Sequence, residues 1–194
     1  MTNDHLVQRA RIAEMTADLI AREGYRAATV RRVAAELNCS TSIVTYYFSS
    51  KQELLVSAYT SLHDELYQKV AALLERDSAD LVGLLLLMTA AEEVSFRRWR
   101  TYVSLWALAT REERWATKER QDVEFAIARI EAAIFARNGQ LEDLHARAQD
   151  LNAFIHGISV QALMDREAWP TERLRSRIEA FVDNFLGPPA TIHS

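Results

Sequence analysis

A chain of 194 residues, 49% of them hydrophobic, is long enough to bury one or two cores. Its single cysteine excludes an internal disulfide framework and a cysteine-rich metal site, which fits a cytoplasmic protein. No apolar run approaches the ~20 residues of a membrane span, and the polar opening MTNDHLVQRAR lacks the apolar stretch of a signal peptide. The net charge of −4 argues against nucleic acid if taken whole, but residues 1–55 carry seven Lys/Arg against six Asp/Glu, so the acid lies in the remainder. Five glycines and three prolines leave few turn positions, which predicts an all-α fold of about nine helices.

The first helix is predicted from about Leu6 to Glu23, with Ile12, Thr16, Leu19 and Ile20 on one face and Gly24 as its stop. Thr29 is a suitable N-cap for a short second helix whose Val30, Val33, Ala34 and Leu37 share a face. Asn38 tolerates the left-handed turn that must follow, and Ser40 is expected to cap a third helix over Thr41–Tyr47. That helix is too short to stand alone, so Val44 and Phe48 are its expected anchors. Ser50 caps a long fourth helix to about Glu75. Further helices are predicted over Ser78–Glu92, Ser95–Ala109, Glu112–Ala136, from about Leu144 to Ala162, and Glu172–Leu186.

Residues 38–51, NCSTSIVTYYFSSK, place a polar turn before a short helix that leaves Thr41, Ser42 and Thr45 outward, then two tyrosines and a lysine. Two short helices joined by such a turn are the pattern of a helix-turn-helix. Short side chains let the second helix approach base edges in the major groove, while Tyr46, Tyr47, Lys51 and the capped helix start at Thr29 suit phosphates. An ordinary helical hairpin within a core satisfies the same spacing.

The stretch ATVRRVAAELNCSTSIVTYYFSSKQELL resembles the N-terminal signature of the TetR family of transcriptional regulators, a likeness that extends over residues 10–55. SIVTYYF, YVSLW and HGISVQALM are most similar to its betaine-regulator (BetI) branch, although Asn38 and Cys39 stand where Gly and Val are usual and Thr45 replaces a frequent Tyr. The resemblance implies an N-terminal three-helix DNA-binding domain over residues 1–50 and a ligand-binding and dimerisation domain over 51–194. It further implies a homodimer on a palindromic operator in double-stranded DNA, released by a small-molecule effector, with DNA contacts at Thr29, Thr41, Ser42, Thr45, Tyr46, Tyr47 and Lys51. Two reading helices about 34–36 Å apart suit such a palindrome. The dimer interface is expected on the last two helices, at Leu151, Ile155, Gly157, Ile158, Ile178, Val182 and Phe185.

In the second domain, Trp99, Tyr102 and Trp106 share a helix face, with Phe96 and Phe125 as neighbours. The stripe fits either a packed core or the aromatic wall of an effector pocket, with Glu92 and Glu93 supplying negative charge. His156 reads as a packing residue, since a lone histidine makes no metal site, and His63 and His145 read as solvated. No cofactor is expected. The other function classes are a helical enzyme and a helical adaptor, but the chain lacks H-E-x-x-H, G-x-S-x-G, a P-loop and a dinucleotide fingerprint.

Overall fold

The computed structural model describes residues 3–189, and among them are nine α-helices and no strand. The first, α1 (Asn3–Glu23), stops where Gly24 takes a φ of +82°. At the start of α2 (Val30–Glu36) the Thr29 hydroxyl accepts the Arg32 N–H at 3.2 Å, satisfying one of the free donors of the first turn. Asn38 adopts a left-handed φ of +52° in the turn to α3 (Thr41–Tyr47). Ser40 does not cap α3 with its side chain. Its backbone carbonyl already accepts the Ile43 N–H at 3.1 Å, which leaves the hydroxyl without that task.

Val44 and Phe48 are buried to 0% and 1% exposure, and they hold α3 against the rest of the domain. Helix α4 (Lys51–Arg76) begins with reciprocal caps. Ser50 Oγ accepts the Glu53 N–H at 3.1 Å, while the Glu53 carboxylate accepts the Ser49 N–H and hydroxyl, each at 2.8 Å. Helix α5 (Leu81–Met88) is much shorter than the predicted Ser78–Glu92. It is capped by Asp80, which accepts the Gly83 N–H at 2.7 Å, and its last carbonyls are taken by side chains. Arg98 Nη2 donates to Leu87 O at 2.6 Å and Trp99 Nε1 to Met88 O at 2.8 Å. The remaining helices are α6 (Glu93–Ala109), α7 (Glu113–Asn138), α8 (Leu144–Met164) and α9 (Thr171–Leu186).

Helix α1 lies against both α4 and α6, α7 runs along α8, and α5 is enclosed by α4, α7 and α9. The α1–α6 contact is polar as well as apolar. Arg97 pairs with Asp18 at 2.5 Å, the Thr101 hydroxyl donates to Ala17 O at 3.1 Å, and the Tyr25 N–H donates to Ser104 Oγ at 2.9 Å. Helices α1 to α3 are therefore joined to the second half by α4 and by this seam.

The expected dimer residues need correction. Leu151, Ile155, Ile178 and Val182 are fully buried and Ile158 nearly so, all inside the chain's own core, because the α8 seam packs on neighbouring helices of the same chain. Of the expected set only Gly157 and Phe185 reach the surface. Around them Phe154 and Phe181 stack in parallel with ring centroids 4.0 Å apart, and Phe181 lies 5.4 Å from Phe185. A Cβ at Gly157 would meet nothing within 4 Å, so no helix of the same chain approaches closely there.

Candidate nucleic-acid interface and ligand cavity

Four of the predicted reading residues, Thr41, Ser42, Thr45 and Tyr46, are exposed at helical spacing on one face of α3, with Ile43 also partly outward. The Thr45 hydroxyl is spent on the carbonyls of Thr41 and Ser42, at 3.1 and 3.2 Å, which leaves its methyl as the uncommitted group. Tyr46 is 73% exposed, whereas Tyr47 is half-buried, held edge-on by Tyr46 at 5.0 Å and in tilted contact with the His5 ring at 4.7 Å. Lys51, at the first residue of α4, donates to Arg26 O at 2.9 Å, and Thr29 is exposed at the start of α2.

Two contributors escape a reading of the sequence. Arg9 on α1 donates to Tyr47 O and to Glu53 (2.9 Å), with its guanidinium 4.3 Å from the centre of the Phe48 ring. It thus fixes the C-terminal end of α3, where a cation is favoured by the free carbonyls. The Glu53 carboxyl is held down to about 2, first by the Ser49 N–H and then by Arg9 and the Ser49 hydroxyl. Arg31 is exposed near the start of α2 and makes no ion pair among the described residues.

The second site is a cavity of about 60 Å³ between α4, α6, α7 and α8. Its walls include Trp99, Tyr102 and Trp106 of α6, Phe125 of α7 and, unforeseen, Tyr59, His63 and Tyr67 of α4. Trp99 and Tyr102 are also core residues, at 2% and 7% exposure, so a packed core and a cavity wall are the same stripe here. His63 is buried rather than solvated, and His156 presents its ring edge-on to Trp99 at 5.3 Å. Phe96 does not reach the cavity. It lies in the first turn of α6, on the side of Asp18 and Arg97, with the Arg166 guanidinium 4.6 Å above its ring. Glu92 and Glu93 are likewise outside, at the start of the same helix, where Glu93 pairs with Arg166 at 2.5 Å.

The negative charge comes instead from α7. Glu119 accepts the Tyr59 hydroxyl at 2.5 Å on one oxygen and the Trp106 indole N–H at 2.9 Å on the other, and no basic side chain pairs with it among the described residues. Burial pushes its carboxyl up, while those two donors resist the rise. Burial and the neighbouring Glu119 carboxylate push the Tyr59 phenol up. Asp122 accepts the Tyr67 hydroxyl at 2.9 Å and stands 3.2 Å from the Lys118 ammonium, which is itself 5.6 Å from the Tyr59 ring centroid. His63 Nδ1 is 3.1 Å from Tyr59 O, an acceptor, which fixes the proton on that nitrogen. His63 Nε2 is 3.8 Å from Asp122, yet burial outweighs that carboxylate and lowers the imidazole to about 4, so the pair is not an ion pair at neutral pH. Burial alone lowers His156 to about 4 as well.

No helix among the described residues is long and apolar enough to cross a membrane. Comparison with known proteins agrees with this architecture. Residues 12–58 match the family of bacterial regulatory proteins, tetR family, and residues 77–187 match the C-terminal domain of BetI-type transcriptional repressors. The chain is 25% identical over 187 residues to the HTH-type transcriptional regulator PksA of Bacillus subtilis (strain 168), covering 93% of this chain and 91% of that protein. A transcriptional regulator from Rhodococcus sp. Rha1 shares the fold with a TM-score of 0.85 at 21% identity, over 94% of this chain and 98% of that one. A regulator from Saccharomonospora viridis in complex with choline has a TM-score of 0.83 at 22% identity, over 92% and 96% of the two chains. With one matched segment holding the helix-turn-helix and the other most of the cavity wall, the chain belongs to the TetR family of transcriptional regulators, with a BetI-type C-terminal domain.

Proposed function

We propose that the protein is a homodimeric repressor that binds an inverted-repeat operator through α2 and α3 and is released from it by a small organic cation held in the aromatic cavity. The functional division falls near residue 50, where α3 ends and α4 begins. The observation that carries the ligand class is Glu119, a half-buried carboxylate with two neutral donors and no basic partner among the described residues, set among Tyr59, Trp99 and Trp106. Such a group is a poor core element and a good receptor for positive charge. Lys118 already rests its ammonium near the Tyr59 ring and Asp122, so this wall accommodates an alkylammonium. The choline held by the Saccharomonospora neighbour supports the same class. For the dimer, the support is the half-exposed aromatic stack of Phe154, Phe181 and Phe185 beside the open Gly157.

Selection of random-sequence duplexes by the purified protein tests the DNA half, with an inverted repeat as the expected product. On that duplex Tyr46→Ala is expected to weaken binding about tenfold with an unchanged melting temperature, since the side chain is exposed and its hydroxyl suits a phosphate. Unchanged affinity would remove Tyr46 from the interface. Choline, titrated while tryptophan emission is followed, tests the ligand half. Glu119→Gln keeps an acceptor for one of the two donors but removes the charge, and is expected to weaken choline about 10- to 100-fold. Equal binding by wild type and variant would sink the cation reading.

A further inference from the structure

We propose a second ligand site, for an oxyanion carried on an apolar body, in the groove bordered by α4, α5 and the start of α6, with Arg98 as its anchor. The groove encloses about 450 Å³ and is separate from the aromatic cavity. Arg98 forms part of its wall and is only 4% exposed, yet no carboxylate pairs with it among the described residues. One guanidinium donor is spent on Leu87 O at 2.6 Å, while Nε is buried with no acceptor among the described residues. A guanidinium has five N–H donors in a planar fork, and the edge formed by Nε and one terminal nitrogen matches two oxygens of a carboxylate or phosphate.

The surroundings match an anion. Arg76 and Arg175 stand at the rim, and among the described residues Arg76 makes no ion pair and Arg175 only a distant one to Glu179 at 3.9 Å. Two carboxylates also border the groove, but Asp80 is committed to the N-cap of α5 and Glu92 is exposed at the start of α6. Leu73, Leu86 and Leu87 give the groove an apolar flank. Burial lowers Arg98 from its ordinary range and outweighs the opposing pull of Tyr102 and of the Glu65 and Glu92 carboxylates, so the guanidinium is only partly compensated. Capping the C-terminal end of α5 explains one bond of Arg98. It does not explain the idle Nε or the basic rim.

The test is calorimetric titration of the full-length protein with hexanoate and with hexyl phosphate, using hexanol as the neutral control. Saturable binding of either anion, with none for hexanol, is expected, and the stronger of the two identifies the head group. Arg98→Lys keeps the charge but loses the fork, and is expected to weaken the anion about tenfold. Because Arg98 also caps α5, Arg76→Ala combined with Arg175→Ala provides the second variant, expected to weaken the anion several-fold with an unchanged melting temperature. Glu119→Gln should leave anion binding intact. The proposal is overturned if neither anion binds, if hexanol binds as well as they do, or if the rim double variant and any folded Arg98→Lys protein both bind as the wild type does.

Discussion

Lowering the pH from 7 to 4 is expected to destabilise the fold steeply, because His63 and His156 are neutral when folded and must be protonated on the way to an acid-unfolded chain. Each has a folded value of about 4 against an ordinary 6.5. Between those two values the unfolded chain binds more protons than the native one, so stability is fully present above 6.5 and is lost as the pH falls toward 4. The gap corresponds to about 3 kcal/mol for His63, and to somewhat less for the less buried His156. The groups facing His63 are Asp122, which favours its charged form, and Lys118 and Arg98, which oppose it. Glu119 works the other way: its raised carboxyl gains a proton more readily when folded, which offsets part of the loss. Glu53, held at about 2, extends the decline from 4.5 downward. Urea midpoints measured from pH 7 to pH 4 check this. A flat profile across that window would mean that the two imidazoles are not buried as neutral groups.

Phe48→Ala is expected to cost about 3–5 kcal/mol and to abolish operator binding. The ring is 1% exposed, closes α3 onto the core, and lies under the Arg9 guanidinium at 4.3 Å. Its loss opens a cavity and removes the cation's platform at the same place. Since α3 spans only seven residues, it has no means of remaining helical once that anchor is gone. Thermal melting and duplex binding measured on one preparation would decide. Wild-type affinity for the selected duplex would mean that α3 is held by Val44 alone.

The parts of the molecule that were legible in the sequence are those decided within a few residues. Thr29 and Ser50 as caps, Gly24 as a stop, left-handed Asn38, and Val44 and Phe48 as anchors all follow from local spacing and donor accounting. The cavity is different in kind. Tyr59, His63, Glu119 and Asp122 come from two helices that are not consecutive, Tyr59 and Glu119 being 60 residues apart, and periodicity tells which way a side chain points without telling what it meets. The same limit explains the dimer residues. A four-and-three repeat at Leu151, Ile155 and Ile158 is satisfied equally by a neighbouring helix of the same chain, and here that neighbour fills it. Phe96 shares a helix with the cavity wall but stands in its first turn, beyond the reach of the rings that enclose the space.

Helix α6 carries two stripes with different obligations. Trp99, Tyr102 and Trp106 face the cavity, while Arg97 and Thr101 grip α1, one helix diameter of about 10 Å away, and Ser104 holds the turn that follows it. The stripes interleave along one rod without sharing a residue, so they are free to diverge independently. Under the function proposed above, altering the cavity stripe would change what is sensed, and retaining the α1 stripe would preserve how the message leaves. A designer seeking a new inducer for the same operator would therefore rebuild the first and leave the second untouched.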